Sequence, residues 1–313
     1  MQIGAVVVTY NRLSKLKKCL QAYEQQLYQP TFLVVIDNCS TDGSSQYLDH
    51  WSVQPAQFKK IIVHEQYNLG GAGGFAEGIA TALQYSSDWI WISDDDAYPE
   101  PDCFSKIKEC YSAFTTEQKE KVAALCAQVR IKSTGEISFL HRRKLEKHLF
   151  TIKEQVLSEA DYASPYVPID LFSFVGTAIK TSLLHTIGLP RADYFISHDD
   201  TEYSLRIREI GLAYCVCNAV VIHDSTENDI SPSSWKYYFA FRNKMNMYKQ
   251  YFPRRYCISN QLKTVYMIFK FYNNRQTWKQ FEDACRDYSN PDFQDLNKQH
   301  LPQLGKNKSR RIR

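Results

Sequence analysis

Four short apolar runs, at residues 3–9, 32–36, 61–63 and 89–92, alternate with segments of a different period. Between the first two, Leu13, Leu16, Leu20, Tyr23 and Leu27 recur at three- and four-residue steps. A run that is apolar throughout suits a strand covered on both faces, whereas the three- and four-residue step suits a helix with one buried stripe. The alternation predicts an open, mostly parallel, Rossmann-like α/β sheet flanked by helices, with ligands gathered at the carboxyl ends of the strands. Polar clusters stand at those ends: Thr9-Tyr10-Asn11-Arg12, Asp37-Asn38-Cys39-Ser40-Thr41-Asp42-Gly43 and Asp94-Asp95-Asp96.

The same reading places helices at 44–51 and 75–85, the second preceded by Gly70-Gly71-Ala72-Gly73-Gly74. A helix follows Pro101 as far as Phe114, and a strand spans 122–131. From 132 to 168 the pattern weakens into a polar stretch holding His141-Arg142-Arg143-Lys144, which reads as an insertion or mobile loop. Order returns at 171–176, with a helix at 180–187 stopped by Gly188-Leu189-Pro190. Another helix opens at His198-Asp199-Asp200-Thr201-Glu202, and a strand at 213–222 delivers His223. Beyond Ser234 the chain reads as helical, aromatic and basic, which divides it into a domain over 1–233 and an extension over 234–313.

Of 313 residues, 44% are hydrophobic and 23% charged, which suits an ordinary globular protein with a substantial core. The net charge of +4 conceals an asymmetry. Residues 236–313 hold 17 Lys and Arg against 5 Asp and Glu, and the remainder is acidic. Such an end suits an anionic surface: a membrane leaflet, a lipid pyrophosphate or nucleic acid. Nucleic acid is disfavoured, because the positive charge is confined to one end while the proposed pocket is acidic. Nine scattered cysteines without a C-x-x-C pair fit a reducing compartment. The first residues lack a signal-peptide pattern and no apolar run is long enough to span a bilayer, so a cytoplasmic chain is expected, soluble or peripheral at the inner membrane face.

Three consecutive carboxylates ending a buried strand require a neutralising cation, and a hard divalent ion with oxygen ligands supplies one. Asp94 and Asp96, two residues apart, are placed to share it. Taken singly, each cluster has a plainer reading: Asp94 to Asp96 as a solvated turn, the glycines as a tight turn, Asp37 as a turn residue, Asp199 as a helix cap and His223 as an ordinary histidine. The glycine segment follows the third strand and departs from G-x-G-x-x-G, so a dinucleotide cofactor is not expected. One sheet edge collecting Asp37, Asp94, Asp95, Asp96, Asp199, Asp200 and His223 points instead to a composite site.

These segments, in this order, resemble glycosyltransferase family 2, with its GT-A fold, and its galactofuranosyltransferase-like and rhamnosyltransferase-like branch. The resemblance rests on residues 7–12, 36–43, 68–74, 91–97 and 195–206, and more weakly on 237–243. It implies a nucleotide-binding half over about 1–100 and an acceptor half over about 101–233. Thr9, Tyr10, Arg12, Asp37, Asn68, Asp94 and Asp95 would line the donor nucleotide. Asp94, Asp96 and His223 would hold manganese or magnesium on the diphosphate. Asp200 would be the general base, Asp199 would hold the acceptor, and Arg242 would help to screen the leaving diphosphate.

The activity implied is inverting, metal-dependent transfer of a sugar to a glycan or lipid-pyrophosphate-linked acceptor in bacterial surface polysaccharide synthesis. UDP-galactofuranose is the first choice of donor and dTDP-rhamnose the second. A sugar-1-phosphate nucleotidyltransferase would share the metal and sheet logic, but such enzymes carry a Gly-rich loop after the first strand, where this chain has Tyr10-Asn11-Arg12-Leu13. A non-catalytic, membrane-associated binding module would leave both acidic clusters unexplained.

Overall fold

The computed structural model describes residues 1–224, 235–271 and 274–301. The chain forms two compact units, Met1–Asp229 and Ile230–Arg313. The first begins with β1 (Ile3–Thr9), α1 (Leu13–Glu24), β2 (Phe32–Asp37), α2 (Ser44–Ser52), β3 (Lys59–His64), α3 (Gly70–Ala82) and β4 (Trp89–Asp94). It continues through β5 (Ala97–Pro99), α4 (Cys103–Ala113), α5 (Thr116–Lys121), β6 (Val122–Ile131), β7 (Arg142–Lys147), β8 (Ile152–Val156), α6 (Glu159–Tyr162) and β9 (Tyr166–Ile169). β10 (Leu171–Phe172), β11 (Thr177–Lys180), α7 (Thr181–Ile187), α8 (Asp199–Ile210) and β12 (Leu212–His223) complete it.

The main sheet runs β3-β2-β1-β4-β11-β6-β12-β5, with β9 also paired to β12. The first four strands are mutually parallel, as is the β6–β12 pair, while β11, β5 and β9 run antiparallel to their neighbours. Successive side chains of a strand point to opposite faces, and the core divides accordingly. Ile3, Ala5 and Val7 pack with Leu16, Leu20, Trp51 and Phe104 on one face. Val6 and Val8 pack with Phe75, Ile79, Tyr203 and Ile207 on the other. β1 is therefore buried throughout.

Two expectations change. The stretch from 132 to 168 is structured: β7 and β8 pair and join β10 in a second, three-stranded sheet. Its polar sequence hid this because Arg142, fully buried, stands where an apolar anchor would be expected. Its guanidinium donates to the carbonyls of Ala127 at 2.9 Å, His141 at 3.0 Å, Val175 at 2.5 Å and Gly176 at 3.1 Å. A buried charge is tolerated when its donors are satisfied in this way. The helix expected from Phe75 instead begins at Gly70, so the glycines form its first turns. A Cβ at Gly74 would meet Val8 at 2.6 Å, and one at Gly78 would meet Val6 at 2.3 Å. Glycine here lets α3 lie directly against β1.

The second unit consists of α9 (Lys236–Tyr251), α10 (Arg254–Phe271), α11 (Arg275–Asp287) and α12 (Phe293–His300). The α9–α11 contact carries a hydrogen bond from Tyr238 to Asp287 at 3.0 Å.

Because Val6 is β-branched and fully buried, it has little room to yield to a new methyl group. Gly78→Ala is expected to lower stability by about 1–2 kcal/mol despite alanine's better helix propensity. Urea denaturation measures this, and an unchanged midpoint would mean that α3 does not press on β1.

Candidate active site

The loops after β1, β2 and β4 meet at one end of the sheet because those strands are adjacent and parallel. Thr9 donates through Oγ1 to Asp95 Oδ2 at 2.6 Å. Arg12 reaches across from the β1–α1 loop, 3.2 Å from Asp95 Oδ1 and 2.8 Å from Asp96 Oδ2. Lys15, one turn into α1, adds a second cation 3.4 Å from Asp96 Oδ2. Tyr10, half-exposed, borders this cluster in sequence.

His223 arrives by sheet pairing. β12 bulges between Val216 and Val220, and its last residue then stands opposite Ala97 of β5. Its Nε2 lies 3.4 Å from Asp96 Oδ1, so Asp96 faces His223 with one oxygen and Arg12 with the other. Behind His223, His141 makes an edge-on ring contact at 5.0 Å and is itself bonded to Ser173 Oγ at 2.7 Å.

The three aspartates differ in electrostatics. Asp94 is pushed well above the usual carboxylate range by burial and then by the charges of Asp96 and Asp95. Its carboxylate has no hydrogen bond or ion pair among the described residues. Burial also raises Asp95, and Arg12 with Thr9 offsets part of this, leaving it at about 6. For Asp96 burial is outweighed by the hydrogen bond from His223 and the charges of Arg12, His223 and Lys15, which hold it at about 2. Among the described residues no three His, Cys, Asp or Glu side chains are gathered closely enough to hold a metal ion. The structure thus brings Asp96 to His223 without closing Asp94 onto them.

Asp199 and Asp200 open α8. Burial, followed by the neighbouring charge of Asp200, raises Asp199, whose own charge extends to Asp94. Asp200 is raised by burial and drawn back by Arg143 and by bonds from Thr201. Its Oδ1 accepts from the Thr201 amide at 2.6 Å and hydroxyl at 3.1 Å. Its Oδ2 has no hydrogen-bond partner among the described residues and stays available to a ligand. Arg143, on β7, lies 3.4 Å from Thr201 Oγ1 and is ion-paired with Glu154 on β8. The second sheet therefore flanks Asp200 with a cation.

Asn68 bonds the Gly70 amide at 2.8 Å, while Asn38 clamps the same turn through the Leu69 amide and the Gly70 carbonyl, both at 2.9 Å. Arg242 lies in the helical unit, fully buried, bonded to Asn297 at 2.7 Å and set over the Phe293 ring. Its guanidinium is thus held by partners within the helical unit. Sequence reasoning missed Lys15, Asn38, His141 and Arg143. Lys15 could have been found from its position one helical turn after Arg12, and the two others on β7 and before it from the basic run at 141–144.

Asp37 is buried, with Oδ1 accepting the Ser40 amide at 3.0 Å and Oδ2 facing Ser45 and, at 3.0 Å, His64 Nδ1. Burial would raise it, but His64, Ser40 and Ser45 pull it below the ordinary range. The bond to Asp37 is the main cause raising His64, whose other nitrogen faces Asp49. The contribution of Asp37 is present above its unfolded pKa of about 3.9 and lost as pH falls through its depressed folded value; that of His64 is present below about 6.5 and lost as pH rises through its raised one. The difference in Tm between wild type and His64→Gln should be largest between about pH 4 and about pH 6.5 and shrink on either side. A pH-independent difference would exclude the ion pair.

Comparison with known proteins bears on the family and the fold. Residues 5–159 match the model of glycosyl transferase family 2. The galactofuranosyltransferase GlfT1 of Mycolicibacterium smegmatis is 27% identical over 256 residues, covering 77% of this chain and 81% of that one. GlfT1 of Mycobacterium tuberculosis is 27% identical, covering 77% and 80%. A solved structure of GalNAc-T7 with UDP, GalNAc and Mn2+ superposes with a TM-score of 0.64 at 12% identity, over 96% of this chain and 58% of that one. The mannosyltransferase PcManGT of Pyrobaculum calidifontis, with GDP-Man and Mn2+, gives 0.55 at 17% identity, over 91% and 73%. These likenesses place the larger unit in the GT-A fold. The chain carries a glycosyl transferase family 2 domain and is a glycosyltransferase.

Proposed function

We propose that the chain transfers galactofuranose from UDP-galactofuranose, with inversion, to a hydroxyl of a glycan or lipid-pyrophosphate-linked acceptor. The observation that carries the mechanism is Asp200: a carboxylate raised by burial, with Oδ1 fixed by Thr201 and Oδ2 open. Inversion needs one base on the face opposite the leaving group, and a raised pKa strengthens that base. Asp200 Oδ2 takes the hydroxyl proton as the acceptor oxygen bonds to the anomeric carbon and UDP leaves. Asp199, adjacent and buried, holds the acceptor. The similarity to galactofuranosyltransferases supports the choice of donor.

At the ends of β1 and β4, Arg12 and Lys15 supply positive charge beside Asp95 and Asp96. Thr9, Tyr10 and Asn68 border the nucleotide, with Asp37 holding the loop that meets the base. Asp94, unpaired among the described residues and raised by burial and then by its neighbours, and Asp96, with an oxygen turned to His223, are suitable donors for a hard divalent ion such as Mn2+ or Mg2+. Such an ion would take up charge on the leaving diphosphate. Solved GT-A relatives that contain Mn2+ support this reading.

The test is turnover of UDP-galactofuranose with Mn2+ or Mg2+ present. Asp200→Asn should retain UDP binding by thermal shift and lose kcat by roughly 10²- to 10⁴-fold. Wild-type turnover in that variant would sink the base assignment, and turnover of dTDP-rhamnose in place of UDP-galactofuranose would overturn the donor.

Arg143 favours the charged form of Asp200, so its loss should raise the pKa of the base further. Since the base must be ionised to act, the acidic limb of the kcat/KM profile in Arg143→Met should move to higher pH by about one pH unit. An unmoved limb would separate Arg143 from Asp200.

A further inference from the structure

The helix α10 packs against α9 through one side only. Tyr256, Asn260 and Ile268 are buried, Cys257 Sγ lies 3.3 Å from the Tyr248 carbonyl, and Gln261 Nε2 lies 3.8 Å from Met245 Sδ. At 100° per residue these positions occupy one half of the helix. The other half would ordinarily be polar. Here it carries Ile258, Leu262, Val265, Tyr266 and Phe269, spaced by three or four residues on one stripe about 100° wide. Leu262 is 66% exposed, Phe269 67%, Tyr266 56% and Ile258 49%. An exposed, contiguous apolar stripe marks an interaction surface.

The charges around the stripe identify its partner. α10 contains Arg254, Arg255, Lys263 and Lys270 and no Asp or Glu. Arg254 and Arg255 stand at its N-terminal end, and Lys263 and Lys270 fall along one border of the stripe. A second copy of this helix would bring like charges together, and so would residues 302–313, which hold five Lys and Arg and no acid. An anionic bilayer complements both features, taking the apolar side chains into its interfacial region and the cations at its phosphates. None of the described helices is long and apolar enough to cross a membrane, so attachment would lie in the membrane plane. At about 1.5 Å per residue, α10 would lie along about 27 Å of membrane surface.

We propose that the outward face of α10 is an in-plane attachment site for an anionic lipid bilayer. This site rests on none of the catalytic assignments, and its test uses no sugar donor. The full chain is sedimented with vesicles of equal parts phosphatidylglycerol and phosphatidylcholine, and separately with phosphatidylcholine alone. Binding is expected to the anionic vesicles, weakening as salt rises from about 0.05 M to about 0.5 M. Leu262→Ser with Phe269→Ser should reduce that partitioning by roughly tenfold or more while leaving Tm unchanged, because both side chains are exposed. Lys263→Glu with Lys270→Glu should abolish the preference for anionic lipid without altering the apolar stripe. Equal binding to neutral vesicles, or binding unaffected by either pair, would overturn the proposal. So would a dimer, detected by sedimentation velocity without lipid, that Leu262→Ser with Phe269→Ser disperses, since the face would then belong to a second copy.

Discussion

The carboxylates of Asp94, Asp95 and Asp96, crowded at the end of a buried strand, set a condition that the surrounding loops must meet. Without compensation, burial and mutual repulsion would keep such groups protonated. The chain meets the condition unevenly. Asp96 is held ionised by Arg12, Lys15 and His223, and Asp95 is partly relieved by Arg12 and Thr9. Asp94 receives only weak relief from Arg12 at a distance. That imbalance leaves Asp94 as the carboxyl that holds its proton most tightly, and a cationic ligand beside it would favour its ionised form. It also explains why Arg12, itself half-exposed, is worth holding in place: its loop ties the β1 and β4 ends into one electrostatic unit.

Backbone strain is concentrated at the same end of the sheet. The described non-glycine residues with positive φ are Asn11, Cys39, Phe195, Ser197 and His198. The first two lie in the loops after β1 and β2, and the others lead into the two aspartates of α8. Left-handed backbone costs free energy for such residues and persists only where neighbouring contacts hold it. Asn11 illustrates the holding contacts, with its Oδ1 accepting the Thr41 amide at 2.7 Å and its own amide donating to Ser40 at 3.0 Å. At the α8 entrance, the Phe195 carbonyl accepts the Ala72 amide at 3.1 Å, which joins the loop of the proposed base to the glycine-rich start of α3.

How much of this could be read from sequence depended on what each residue had to do. β1 and β4 were legible because strands covered on both faces are apolar without interruption, and their polar endings followed directly. The second sheet was not, because Arg142 occupies its buried anchor position and donates to five backbone carbonyls, a solution invisible to hydrophobic periodicity. The early start of α3 was hidden for the opposite reason. Glycine is a poor helix former, yet Gly74 and Gly78 are required by contact with Val8 and Val6. The approach of His223 to Asp96 could not be inferred from spacing either, since it depends on the bulge in β12 and on pairing with β5.

The missed second sheet matters more for function than its size suggests. Asp200 lies at a helix N-terminus beside another carboxylate, where burial drives its pKa upward. A base that stays protonated at working pH accepts nothing, and one that is too acidic accepts weakly. Arg143 pulls Asp200 down while Glu154, paired with Arg143, pushes it up. These two residues belong to adjacent strands of the second sheet, so the register of β7 on β8 fixes the charge balance that Asp200 experiences. Burial remains the largest influence on the proposed base, and the polar stretch supplies the charge that moderates it.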